Sequence, residues 1–266
     1  MKMFNGDYIK KELHGIEKSL ASKVEIFMIG GGAMSFHGLK DATKDVDVVV
    51  RSPEEFEVLR GALEKCSYRE VFVKTGAYGR MGASGIFENP DGFRWDVFVN
   101  VVCGGLALSP AMMERSARFL SLEKMEVNIL SPEDIFVFKA VTSRERDRDD
   151  MLTIFEKGMD FDAVKKEITA QSAGSTDRSW LAFFFLGLEE LTEKYHVAVP
   201  YYDDFHELAC EDVLQRIITD FLKQPKTKEE LLASIKYTKE EVTERLDKML
   251  EEKLITVDEK GRLRVK

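Results

Sequence analysis

The stretch from Val24 to Val50 admits few folds. Val24–Ile29 reads as a short buried strand and runs directly into Gly30-Gly31-Gly32. A short helix is predicted over 33–38, then a second strand, Asp45-Val46-Asp47-Val48-Val49-Val50. A glycine turn between strand and helix lets backbone N–H groups face outward at the positive end of the helix dipole, so phosphate can approach the chain. Asp45 and Asp47 stand two apart on a strand, and period-two geometry sets both carboxylates on one face. Side by side they repel, and a divalent cation is the natural remedy. Mg²⁺ favours carboxylate oxygens together with the phosphate oxygens of a substrate.

A third acid fits the same scheme. Asp96 is an isolated carboxylate in the apolar strand Phe93-Arg94-Trp95-Asp96-Val97-Phe98-Val99. Three acids suffice to hold two Mg²⁺ ions as a clamp on the attacking and leaving oxygens of phosphoryl transfer.

The surrounding pattern predicts an α/β fold with a mixed sheet. An amphipathic helix is expected over 8–21, and Ser52-Pro53-Glu54-Glu55 opens another, with Ser52 as N-cap. Strands are expected over 68–74, 85–88 and 93–101, with Asn89-Pro90-Asp91-Gly92 turning between the last two. A hairpin over 118–130 closes a first domain, 1–130. From Ser131 the pattern turns helical, at 132–142, 145–157, 161–171 and 178–195, with a loop at Gly174-Ser175-Thr176, giving a helical domain over 131–205. Residues 206–266 carry a helix at 211–223, helices capped by Thr227 and Thr238, and a hairpin over 254–265. This order resembles a winged helix-turn-helix.

Gly31-Gly32, twelve further residues, then Asp45-Val46-Asp47 resemble the signature of the polymerase-beta-type nucleotidyltransferase superfamily. Asp96 matches that superfamily's third acid. Ser131-Pro132-Glu133-Asp134, Lys139, Arg144-Glu145-Arg146-Asp147 and Asp150-Met151-Leu152 are similar to the AbiEii/MenT-like branch, which includes bacterial toxin nucleotidyltransferases. The resemblance implies transfer of a nucleoside monophosphate from an NTP to an RNA, protein or small-molecule acceptor. Asp45, Asp47 and Asp96 would be catalytic and bind two Mg²⁺ ions. Gly31, Gly32, Ser35, Lys139 and Arg146 would bind nucleotide. Gly32 stands where this superfamily often has Ser, and Ser35 is the alternative source of a hydroxyl. The rival reading is a non-catalytic nucleotide sensor or regulator with a winged-helix interaction module.

Other readings compete at single positions. Gly30-x-Gly32-x-x-Ser35 nearly fits a dinucleotide turn, but that motif places its acid after the second strand, whereas Asp45 and Asp47 precede Val48-Val49-Val50. Lys139 on an apolar helix also reads as a snorkelling lysine. Arg144, Arg146 and Arg148 read as an exposed ion-pair network, His37 as a packing residue, and the glycine-rich segment 75–84 as a hairpin connection. The helix following Thr238 carries six acids against three bases, which favours protein contact or a homodimer over DNA.

Composition narrows the class. The 266 residues carry a formal charge of −9, and a protein that coats long nucleic acid is excluded by that balance. The acidity is uneven, with −8 falling within residues 131–210. Cys66, Cys103 and Cys210 form no Cys-x-x-Cys pair, which argues against zinc ribbons and dithiol chemistry and predicts three reduced, buried thiols. No apolar signal segment and no membrane-length run are seen, so a cytoplasmic protein without membrane contact is expected.

Overall fold

The computed structural model describes residues 3–72, 82–142, 144–174 and 178–266. The chain divides into two compact units, Met1–Tyr201 and Tyr202–Lys266.

In the first unit the alternating acids and valines form β2 (Asp45–Val50), the central strand of a seven-stranded mixed sheet. On one side lie β5 (Arg94–Val99), β4 (Gly85–Glu88) and β3 (Arg69–Glu70). On the other lie β1 (Val24–Ile29), β9 (Met125–Ile129) and β8 (Ala117–Ser121). β2 runs parallel to β5 and antiparallel to β1, while β1 is parallel to β9. The sheet is mixed because short hairpins and helical crossovers both contribute strands. Val46, Val48 and Val50 are fully buried, and so are Val49, Val97 and Phe98. Burial on both faces explains the nearly continuous apolar run.

Helices α1 (Gly6–Glu17), α2 (Gly30–Phe36) and α3 (Pro53–Lys65) belong to the same unit, and α3 packs on β1, β2 and β5. Asn5 caps α1, and Ser52 accepts a hydrogen bond from Glu55 N to cap α3. Asn89 turns the chain between β4 and β5, its Oδ1 accepting from Asp91 N and Phe93 N. A small hairpin, β6 (Val101–Val102) with β7 (Leu106–Ala107), and a short helix α4 (Pro110–Arg115) precede β8. α5 (Pro132–Ala140), α6 (Glu145–Glu156), α7 (Phe161–Gly174) and α8 (Ser179–Tyr195) complete the unit. α5 is buried from Asp134 to Ala140 and contacts α2, α6, α7 and α8. It crosses α8 at Gly187, where a Cβ would lie 2.2 Å from Ala140 O.

The second unit holds α9 (Tyr202–Phe221), α10 (Lys228–Ser234) and α11 (Lys239–Glu251), then the antiparallel pair β10 (Ile255–Val257) and β11 (Leu263–Val265). Thr227 and Thr238 each form a reciprocal capping box, with Glu230 and Glu241. Leu214, Ile218, Leu231, Leu246, Met249 and Ile255 lie in its core.

Several expectations are corrected. α2 begins at Gly30, so the glycines are the helix's first turn rather than a loop before it. A Cβ at Gly32 would lie 3.1 Å from Val46 Cγ1 and 3.2 Å from Met28 Sδ, so the helix sits tightly on the sheet there. α9 starts at Tyr202, nine residues ahead of the expected 211, because Phe205 and Ala209 already give it a buried face. Cys103 is buried, but Cys66 is half-buried and Cys210 exposed. Most of the glycine-rich segment 75–84, the end of the strand expected over 68–74, and Ser175-Thr176 of the expected loop lie outside the described residues.

Candidate active site

The site is assembled by strand register. β2 and β5 pair so that Asp47 stands opposite Asp96 and Asp45 opposite Arg94. In parallel neighbours these four side chains share one face of the sheet. Asp47 and Asp96 are buried, at 6% and 1% exposure, and Asp45 is half-buried.

One cation lies among these carboxylates. Arg94 donates from Nη2 to Asp45 Oδ2 at 2.8 Å and to Asp96 Oδ2 at 3.0 Å, and its Nε stands 2.7 Å from Asp96 Oδ1 as an ion pair. The alternation that places Asp45 and Asp47 together also places Arg94 beside Asp96. The i, i+2 spacing of Arg94 and Asp96 on β5 is the sequence signal for this pairing.

Asp47 is pushed up to about 8, first by burial and then by the charges of Asp45 and Asp96, against the pull of Arg144 and Lys139. Asp96 is pushed up to about 6 by burial, which outweighs the neighbouring Arg94. Gly30 adopts φ +63°, and a Cβ there would lie 2.2 Å from Asp47 Oδ2. Glycine is therefore required both for the backbone turn and for room at the carboxylate.

α5 and α6 supply the opposite wall. Lys139, only 4% exposed, donates to Asp147 at 2.9 Å and pairs with Asp150 at 2.6 Å. Burial raises the Asp147 carboxyl, yet Lys139, Arg144 and a hydrogen bond from Thr142 hold it well below the usual carboxylate range. Arg148 is buried and clamps the α5–α6 connection, donating to Lys139 O at 3.0 Å and Thr142 O at 2.5 Å. With Arg148 buried and Arg144 paired to buried Asp147, this stretch is not the exposed ion-pair network expected from its alternation of signs. The sequence had no local signal for this, because the carbonyls that Arg148 satisfies belong to the preceding helix end.

Gly31, Asp45, Asp47, Lys139 and Arg146 line one cleft of about 50 Å³, together with Lys40, Thr43, Lys44, Arg144, Asp147 and Asp150. Gly32 is buried against Val46 instead. Ser35 Oγ donates to Gly31 O at 3.1 Å, the usual back-bond of a helical serine four residues along. His37 contacts Leu130 O through Nε2 at 2.8 Å, a packing role. Lys40 and Lys44 add two cations to this lining that belong to none of the sequence motifs.

The donor chemistry fits a divalent cation. The oxygens are hard carboxylates, and buried Asp96 Oδ1 makes no hydrogen bond, its charge being met by the ion pair with Arg94. Among the described residues, however, no three His, Cys, Asp or Glu side chains stand close enough to hold an ion as they are arranged. Arg94 lies between two of the carboxylates, and its guanidinium must shift for all three to share one.

A protein-family model described as a nucleotidyltransferase of unknown function (DUF6036) matches residues 8–195, which span the sheet and helices α1 to α8. No curated protein matches the chain. Among the described residues no helix is long and apolar enough to cross a membrane.

Proposed function

Because the chain belongs to this nucleotidyltransferase family, we propose that it moves a nucleoside monophosphate from an NTP to a hydroxyl of an RNA, protein or small-molecule acceptor, releasing pyrophosphate. The carrying observation is the pairing of Asp47 with Asp96 across β2 and β5, beside a cleft lined by five Lys and Arg side chains.

Asp45, Asp47 and Asp96 would hold Mg²⁺, two ions in the full arrangement. When bound, the metal supplies charge stabilisation for the attacking and leaving oxygens. The chain's own groups do the rest. Lys139, anchored by Asp147 and Asp150, presents a fixed positive charge to phosphate oxygens, and Arg146 at the exposed rim adds a second. The backbone of Gly31 lets phosphate approach closely. Asp96, already raised toward neutrality, is suited to accept the acceptor hydroxyl's proton. The small volume suits phosphate groups, so sugar and base would extend outside it.

The order of three helices and a hairpin in residues 202–266 supports reading that unit as a winged-helix module for protein contact, its third helix carrying more acids than bases. The AbiEii/MenT-like resemblance adds a toxin-like role to the same reading.

The test is incubation with each labelled NTP, Mg²⁺ and host RNA or protein. Labelling of an acceptor that Asp45→Ala abolishes supports the assignment. Nucleotide binding without turnover, with all four NTPs and independent of Mg²⁺, would favour the sensor reading instead.

A further inference from the structure

Lys40 lies in the connection between α2 and β2, and its Nζ donates to both oxygens of Asp150, at 2.8 and 3.1 Å. This contact joins the connection to α6 between two residues that line the cleft, 110 apart in sequence. The same carboxylate holds Lys139 at 2.6 Å, so one aspartate serves two lysines from opposite walls.

The two lysines are not equivalent. The Lys139 side chain is 5% exposed and also bound to Asp147, itself 1% exposed. Its departure would strip a counter-charge from a buried carboxylate, which is costly. The Lys40 side chain is 32% exposed, with Asp150 at 14%. Its departure leaves Asp150 still paired to Lys139, so no buried charge is orphaned. A partly exposed lysine–carboxylate pair is weak, and a polyanion carrying several charges competes well for that ammonium. Lys40 Nζ also lies 4.0 Å from where a Cβ of Gly31 would stand, and both residues line the cleft.

We propose that Lys40 is a phosphate-binding residue of this site, stored on Asp150 and passed from that carboxylate to the triphosphate when nucleotide enters. The inference rests on the nucleotide-binding reading of the cleft. Lys139 is then the fixed cation and Lys40 the exchanging one, and the exchange widens a cleft that the Lys40–Asp150 pair now bridges. Asp150 acts as a positioning residue for both.

The 266-residue chain, with Lys40→Met and Lys40→Arg variants, tests this by calorimetry with the four NTPs, the matching monophosphate and inorganic tripolyphosphate. Lys40→Met should weaken NTP and tripolyphosphate by about tenfold or more and the monophosphate by less than about threefold, as expected for a lost charge-assisted contact to the outer phosphates. Lys40→Arg should stay within about threefold of wild type, since it keeps the charge. In the wild-type protein, NTP should shield Lys40 from an amine-acylating reagent, read by mass spectrometry. That measurement stands even if Lys40→Met fails to fold. Wild-type binding that Lys40→Met leaves unchanged, or Lys40 acylated equally with and without bound NTP, overturns the role of Lys40 alone. A wild-type protein that binds none of the four NTPs overturns the functional reading with it.

Discussion

The guanidinium of Arg94 on β5 binds Asp45 of the neighbouring strand at 2.8 Å and Asp96 of its own strand at 3.0 Å, so a side chain of the protein itself pairs two of the three acids. Arg94→Leu should leave Asp96 buried without its nearest cation. The expected loss is on the order of 3 kcal/mol at pH 8. It should shrink at pH 5, because a protonated Asp96 needs no counter-charge. Urea unfolding at both values checks this, and an equal loss at the two would contradict it.

Asp47 gives stability a second dependence on pH. Its carboxyl is pushed up to about 8 in the fold from an ordinary 3.8, by burial and by Asp45 and Asp96. Between those values the folded chain holds a proton that the unfolded chain has lost. Its contribution is therefore full at low pH and disappears as pH climbs through 8. Thermal melts without divalent cation should show Asp47→Asn gaining on wild type from pH 5 to pH 8. Mg²⁺ should raise the wild-type melting temperature more at pH 8 than at pH 5, where the metal competes with protons. A cation effect that is flat with pH would refute this account.

Gly30→Ala places a methyl group 2.2 Å from Asp47 Oδ2 on a backbone at φ +63°. Gly38→Ala meets only the backbone cost, since φ is +69° there and no atom lies within 4 Å. Left-handed backbone costs about 1–2 kcal/mol for a residue with a Cβ. Gly30→Ala should lose more than Gly38→Ala in chemical denaturation, and it alone should also lose NTP binding.

The crossing of α5 and α8 gives a purely structural counterpart. Gly187→Ala drives a Cβ into Ala140 O, beside Lys139, and should destabilise by about 1–3 kcal/mol or more. Gly61→Ala, within α3 and in open space, should instead be neutral or stabilising by up to about 1 kcal/mol. Similar effects at the two sites would mean that the helices separate more readily than their contact implies.

Local chemistry in the sequence determined much of the framework. Alternation fixed β2 at Asp45–Val50 with both aspartates on one face. Ser52, Ser131, Thr227 and Thr238 announced four helix starts, because a cap is satisfied by an N–H three residues away. Asn89-Pro90-Asp91-Gly92 likewise carried its own turn. What tertiary structure decided is every relation between distant segments. Only strand pairing sets Asp47 against Asp96 and brings Arg94 to Asp45, 49 residues away. Only the packing of α6 brings Asp150 to both Lys40 and Lys139, and only burial separates clamped Arg148 from rim-exposed Arg146. Caps and periodicity arise from interactions within a turn or a strand and are written in neighbouring letters. The charge of Asp47 and the partners of Lys40 depend on dielectric surroundings and contacts that exist only once the sheet has closed.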